Sequence, residues 1–573
     1  MENRVVNGPK APKDPTKKRS VIYIMLDDAI EGRPNGSGGY GDVNFLEGRV
    51  VAKVTNLLPE LDRELAAKLQ TCAGFRELVH SIGISIKADK KEDRNITMKF
   101  AQQCRTAEGY FGTRFETETV CDGRETLIVV EDFPAIPGET VLAAFNFGFP
   151  SYFTGTVTIA YYLNDGFEVP ELIPDPPVAF GSPAYKTMIE NSCMKTGNVF
   201  RLKKAIEKAR AGEDVTIAYI GGSITQGAGA KPIGTNSYAY RSYEAFKARF
   251  GKGDGSNVHF IKAGVGGTPS ELGLTRYEDD VLRKGTVTPD VVVIEFAVND
   301  AGDETNGVCY ESLALMAMEG PGAPGVVLLF SVFMDDYNLQ DNLSRVGYHY
   351  DLPMVSIKNA VTPQFYQEVP IITKRQFFYD LYHPSNDGHR IMADCLDYLW
   401  QQADEMAMPE ADVDLAKEGI IGNRYRALKS FGRDDYADHA AVKALNAGSF
   451  TKEDDMLQCV EQDANAFTTP EFPDHWMYDG SLEQPENFTM TIECKDLLLV
   501  YKDSGDVSFG TAEVLVDGKV ARPVNPLEVG WNHCNAVIIH NGNTCTEHRV
   551  EIRMIAGDEK KKFTILGFGY NVE

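Results

Sequence analysis

Four short blocks of the sequence carry residue types that, brought together, could perform acyl transfer. The first, Ile220-Gly221-Gly222-Ser223-Ile224-Thr225, ends an apolar run in two glycines and a serine. A hydroxyl at the carboxyl end of a strand projects into the crevice above the sheet, and the glycines leave room for a substrate carbonyl beside backbone N–H groups. The second, Asp380-Leu381-Tyr382-His383-Pro384, sets an aspartate three residues before a histidine. On one turn, that carboxylate can accept the imidazole Nδ1–H and leave Nε2 to take a serine proton. The third, Glu295-Phe296-Ala297-Val298-Asn299-Asp300, ends a strand in an amide able to donate to an oxyanion. The fourth, Ala263-Gly264-Val265-Gly266-Gly267-Thr268, is a glycine-rich turn whose N–H groups can do the same.

Taken singly, each block has an ordinary structural reading as a turn, a helix cap or a core histidine. The pairing of Ser223 with Asp380 and His383 reverses that balance. The glycine turn has no dinucleotide or phosphate fingerprint, and the chemistry requires neither cofactor nor metal.

These blocks need a scaffold, and the surrounding pattern supplies one. Val215–Ile220, Val258–Ala263, Val291–Phe296, Val326–Ser331 and Met354–Ile357 read as buried apolar strands. Helical patterns over Ser237–Phe250, Ser270–Arg283 and Gly388–Trp400 alternate with them, predicting an α/β, doubly wound, flavodoxin-like sheet of three α/β/α layers. Ligands bind such sheets at the carboxyl ends of the strands, where three of the four blocks fall.

Flanking this core the texture is β-rich. Short runs such as Thr126–Val130 and Thr156–Tyr162, with one helix over Leu58–Leu69, fill the N-terminal part. Five prolines in the fifteen residues from Val169 to Pro183 mark a linker. Beyond Trp400 an acidic, mainly helical connector is expected to about Leu457, followed by strands at Ala512–Val516, Ala536–His540, Arg549–Met554 and Phe563–Leu566. The expected division is 1–183, a β-rich accessory domain with linker; 184–405, the catalytic domain; 406–457, the connector; and 458–573, a C-terminal β-sandwich. Both flanks are expected to be jelly-roll-like.

At 573 residues the chain is long enough for several cores. Its formal charge of −26 opposes binding to polyanions, which excludes nucleic acid and anionic membrane surfaces as partners. The ten cysteines show no C-x-x-C pair and read as mostly buried, reduced thiols. The apolar run Val21–Leu26 is too short for a signal-peptide core, so with Met1 as the start a cytoplasmic enzyme acting on imported oligosaccharides is expected. Nothing in the sequence sets an oligomeric state.

Over about Val215–Leu399, a third of the chain, the four blocks resemble the SGNH, or GDSL-like, hydrolase family, and in texture its bacterial carbohydrate acetylesterases. The resemblance implies Ser223 as nucleophile and Asp380 and His383 as its triad partners. It also implies an oxyanion hole formed by the N–H groups of Ser223 and Gly267 with the side chain of Asn299. The sequence departs from the family at three places: Gly222 replaces the usual aspartate, Lys262 stands where many members have asparagine, and Ala297 replaces a glycine. Gly266 remains an alternative to Gly267. Accessory β domains beside such a core suggest removal of O-acetyl groups from xylan- or mannan-type oligosaccharides. Trp531 and His533, with Trp476, are the candidate sugar-contacting residues. The alternatives are a thioesterase or a lipid or aryl esterase of the same family, and a catalytically inactive carbohydrate-binding protein.

Overall fold

The computed structural model describes residues 18–34, 39–45, 63–107 and 111–573. Three sheet-centred units follow one another along the chain. In the first, eight antiparallel strands run in the order Phe111–Val120, Thr97–Thr106, Glu139–Phe149, Tyr40–Phe45, Val21–Pro34, Phe153–Leu163, Val79–Ala88 and Asp122–Val129. Its two-residue periodicity is plain in Phe153–Leu163, where Phe153, Val157, Ile159, Tyr161 and Leu163 are buried and the threonines between them less so. Of the helix expected over Leu58–Leu69, the part before Arg63 lies outside the described residues, and Arg63–Lys68 is helical. A second helix, Cys72–Leu78, follows directly.

The middle unit is a six-stranded sheet in the order Val258–Gly264, Val215–Gly221, Val291–Glu295, Gly325–Phe330, Met354–Ser356 and Cys193–Lys195. The first five strands are parallel and the last, at the edge, is antiparallel. Read in chain order the parallel strands lie 2-1-3-4-5, the doubly wound pattern that the alternation of strand and helix predicts. Alternate side chains of one strand enter different cores, the physical signature of three layers. Val291 and Val293 pack with helices Phe200–Ala211, Tyr238–Phe250 and Asn386–Glu405, while Val292 and Ile294 pack with Ser270–Asp280, Val308–Glu319 and Gln340–Tyr350. Strands buried on both faces must be apolar throughout, as Val291–Ile294 are.

The connector expected between Met406 and Leu457 is not helical. Lys429–Phe431 and Val442–Asn446 are strands that pair with Phe563–Asn571 and Phe488–Asp503, so they belong to the C-terminal sheet. Acidic residues spaced through short apolar runs imitate a helical pattern, but the pairing partners lie far ahead in sequence and decide the outcome. Likewise Ala536–His540 and Arg549–Met554 are parts of one long strand, His533–Met554.

The strand Phe488–Asp503 ties the C-terminal unit to the middle one. Leu497, Leu499 and Tyr501 enter the unit's own core, whereas Leu498 enters the core of the α/β unit and Val500 packs with Val265 and Leu272. The continuous run Leu497-Leu498-Leu499-Val500-Tyr501 is therefore buried on both faces. All ten cysteines are free thiols, seven of them buried.

Candidate active site

The strand Val215–Gly221 ends at Gly222, and Ser223 opens the short helix Ser223–Gln226. A side chain at Gly222 has no room: its Cβ would lie 2.1 Å from Asn299 Oδ1. The glycine in place of the family's usual aspartate thus lets the amide of Asn299 come against the serine turn. Below the turn, Thr225 Oγ1 donates to the buried carboxyl of Glu295 at 3.1 Å, and burial pushes that carboxyl up to about 7.

His383 reaches the serine from a tight loop closed by the Tyr379 N–H donating to the His383 carbonyl at 2.7 Å. Its Nε2 lies 2.9 Å from Ser223 Oγ, and its Nδ1 lies 2.9 Å from Asp380 Oδ2. Asp380 is fixed in turn, because its Oδ1 accepts the N–H groups of Tyr382 and His383, each at 2.8 Å. With Nδ1 protonated toward Asp380, the Nε2 lone pair faces the hydroxyl.

The glycine turn lies against Ser223, where a Cβ on Gly266 would meet the serine Cβ at 3.7 Å. Gly267 has φ of +76°, the left-handed region open to glycine, and its N–H meets no acceptor among the described residues. The N–H of Ser223, first in its helix, is likewise without an acceptor among them. The Gly266 N–H, by contrast, is already engaged, donating to Gln226 Oε1 at 2.9 Å. Asn299 stands just beyond the end of Val291–Glu295, with its Oδ1 buried against Gly222 and without a partner among the described residues. Asp300 beside it accepts both the N–H and the hydroxyl of Ser270, at 2.8 and 3.0 Å, and so anchors this turn to helix Ser270–Asp280.

The three candidate sugar-contacting residues separate. Trp531 is 45% exposed, and its ring lies so close to Gly267 that a Cβ there would sit 2.8 Å from Cζ2. His533 is only 3% exposed and uses Nε2 to reach the Gly267 carbonyl at 3.0 Å, so it stands behind the turn rather than at its surface. Trp476 is a core residue packed on Phe488 at 5.4 Å, because a large ring on an inward-facing strand position fills the sheet interior. Tyr382, its ring next to His383, is 47% exposed.

Sequence reasoning missed Gln226, Gln458 and His389. Gln226 sits one helical turn beyond Ser223, a spacing that turns it to the same side and could have marked it. Gln458 and His389 carry no such signal, since their partners are distant in sequence. Lys262 has a structural role: fully buried, it donates to the Gln226 carbonyl at 2.9 Å and so caps the serine helix, while burial brings its ammonium down to about 8.

A doubly wound sheet with a hydroxyl, an imidazole and a carboxylate in line at its carboxyl end defines the class of α/β serine hydrolases. The GDSL-like Lipase/Acylhydrolase family model matches residues 219–391, the segment holding Ser223, Gly267, Asn299, Asp380 and His383. Over those residues the chain carries a GDSL-like (SGNH-type) hydrolase domain, and it is a carboxylic ester hydrolase. Among solved structures it is similar to a two-domain esterase active on acetylated mannans, with 26% identity and a TM-score of 0.57 over 67% of this chain and 98% of that one. The same kind of esterase co-crystallized with mannopentaose gives 26% identity and a TM-score of 0.55 over 67% and 99%. No curated protein matches the sequence.

Proposed function

We propose that the protein removes O-acetyl groups from mannan-type oligosaccharides through an acyl-enzyme on Ser223. The observation that carries this reading is the unbroken relay from Ser223 Oγ through His383 to Asp380, with both contacts at 2.9 Å. His383 Nε2 takes the hydroxyl proton as Ser223 Oγ attacks the ester carbonyl. Asp380 holds the imidazolium, and the carbonyl oxygen gains its negative charge beside the N–H groups of Ser223 and Gly267 and the amide of Asn299. Collapse of the tetrahedral intermediate breaks the ester C–O bond, and His383 returns the proton to the departing sugar hydroxyl. Water, deprotonated by the same imidazole, then attacks the acetyl-serine, releasing acetate and restoring Ser223.

The sugar assignment draws on the mannan-active esterase similar in fold and on the site's rim. Trp531 on Gly267 and Tyr382 beside His383 offer exposed aromatic faces next to the glycine turn and the imidazole, suited to the C–H faces of pyranose rings.

The test is acetate release from acetylated mannan and xylan oligosaccharides by wild type and Ser223→Ala, alongside p-nitrophenyl esters of increasing acyl length. Release from mannan oligosaccharides by wild type alone supports the whole reading. Release mainly from xylan keeps the mechanism and changes the sugar, and turnover only of long acyl chains discards the carbohydrate. Equal activity in Ser223→Ala overturns the nucleophile.

A further inference from the structure

We propose that the C-terminal unit is a working part of the catalytic centre, in which Gln458 and His533 are positioning residues that aim the Gly267 N–H at the developing oxyanion. The proposal rests on the reading of Ser223 as nucleophile given above.

Gly266 and Gly267 together carry two N–H donors and two carbonyl acceptors, and no side chain of their own. The Gly266 N–H donates to Gln226 Oε1 at 2.9 Å. The Gly266 carbonyl accepts from Gln458 Nε2 at 2.8 Å, and the Gly267 carbonyl accepts from His533 Nε2 at 3.0 Å. Only the Gly267 N–H is left without an acceptor among the described residues. Three groups are held by side chains from outside the turn, and the fourth is left to meet the substrate.

The turn cannot hold itself. Its ends are fixed within the α/β unit, where the Val265 N–H donates to the Gly221 carbonyl at 3.1 Å and the Thr268 hydroxyl to the Val265 carbonyl at 2.9 Å. Between those ends lie two consecutive glycines, the residues with the widest backbone freedom, and Gly267 sits at positive φ. An amide pair of that kind swings unless its carbonyls are tied.

The ties are themselves rigid. Gln458 is buried, and its Oε1 accepts the Cys534 N–H at 2.7 Å, so both ends of its amide are engaged. His533 begins the long strand His533–Met554, opposite Asp503. Burial holds its ring neutral, and the contact with the Gly267 carbonyl requires the proton on Nε2. Gln226, the third tie, is oriented by its Nε2 donating to Glu461 Oε2 at 2.7 Å, and Glu461 also comes from the C-terminal unit. A displacement of about 1 Å at a reacting group costs on the order of 100-fold in rate, so ties of this kind act on turnover without touching substrate.

The experiment uses the full chain with p-nitrophenyl acetate, an ester with no sugar to contact Trp531. Gln458→Glu keeps the side-chain volume and the acceptor for Cys534 while removing the donor to Gly266. His533→Leu removes the donor to Gly267, and His533→Gln retains an N–H. Thermal unfolding shows that each variant is folded. The expected result is a fall in kcat of about 10- to 100-fold for Gln458→Glu and His533→Leu, with KM within about twofold and His533→Gln recovering most of the loss. Affinity for a trifluoromethyl ketone, whose adduct with Ser223 places an oxyanion in the hole, falls by the same factor as kcat. Folded variants with unchanged kcat, or with unchanged affinity for the ketone, overturn the proposal. Ser223→Ala is run beside them: full activity there defeats the nucleophile reading, whereas an inactive Ser223→Ala beside a fully active Gln458→Glu defeats this inference alone.

Discussion

The two flanking units reach the segments around Ser223 by different chemistry. The N-terminal sheet does it with charge. Lys231, in the segment that follows the serine helix, donates to both oxygens of Asp42 at 2.8 and 2.7 Å, with side-chain exposures of 8% and 2%. The buried Glu31 accepts the Ile233 N–H at 2.9 Å and the Tyr152 hydroxyl at 2.9 Å. The C-terminal unit reaches the glycine turn through neutral groups, the amide of Gln458 and the imidazole of His533. A buried ion pair fixes where a segment lies but bears a large desolvation cost, and an apolar pair of similar volume can replace it without loss. A neutral amide bonded to a carbonyl sets the direction of a peptide plane, which no apolar group can do. The first interface is thus a matter of stability and the second of catalytic geometry.

The sharpest way to break that distinction is to strip the ion pair. Asp42→Ala leaves Lys231 buried without its counter-charge and is expected to cost about 3–5 kcal/mol, read as a lower midpoint in thermal or urea unfolding. The double variant Asp42→Leu with Lys231→Met is expected to recover most of that loss. In both, kcat per folded molecule stays within a few-fold of wild type. A large fall in kcat at an unchanged unfolding midpoint would place the N-terminal interface in the same category as the C-terminal one.

A smaller effect separates sugar contact from oxyanion geometry within the C-terminal unit itself. Trp531 and His533 are two residues apart and their rings lie 4.7 Å apart, yet one is half exposed and the other buried. Trp531→Ala is expected to raise KM for acetylated oligosaccharides about tenfold, in line with about 1.4 kcal/mol of lost aromatic contact, and to leave KM for p-nitrophenyl acetate unchanged. Equal changes for both substrates would assign Trp531 to the turn rather than to the sugar.

The sequence made the α/β unit legible because its information is local. Strands buried on both faces spell continuous apolar runs, and an aspartate three residues before a histidine can meet it within one turn, as Asp380 meets His383. The glycine turn was legible as a source of N–H groups, with Gly267 expected and Gly266 as the alternative, whereas the bond from the Gly266 N–H to Gln226, 40 residues away, was not. The same limit hid the C-terminal unit's role. Gln458 is 192 residues from Gly266, and His533 is 266 from Gly267, so neither pairing leaves a periodicity to read. The expected helical connector failed for a related reason, because Val442–Asn446 is a strand only by virtue of its partner Thr489–Ile492.

The smallest expected effect at neutral pH concerns a neutral tie inside the α/β unit, within the segment that the N-terminal charges also brace. His389 Nδ1 accepts the Tyr238 N–H at 3.1 Å and Nε2 donates to the Ala228 carbonyl at 3.0 Å, while the Ala228 N–H returns to the Ser223 carbonyl at 2.9 Å. Burial brings the His389 ring down to about 3 from an ordinary value of 6.5. The folded state therefore resists a proton that the unfolded chain accepts. The stability associated with the neutral ring is complete above pH 6.5 and is lost progressively as the pH falls toward 3. Glu295 works in the opposite sense. Its carboxyl is raised from 4.5 to about 7, so the folded state loses stability as the pH rises through that window. Thermal unfolding between these limits should show His389→Gln flattening the acid limb, by about 1 kcal/mol for each pH unit well below 6.5, and Glu295→Gln flattening the slope of the other sign. If acidification destabilises His389→Gln as steeply as wild type, the acid limb belongs to other groups, and the serine segment is then held chiefly by the charges of Lys231 and Asp42.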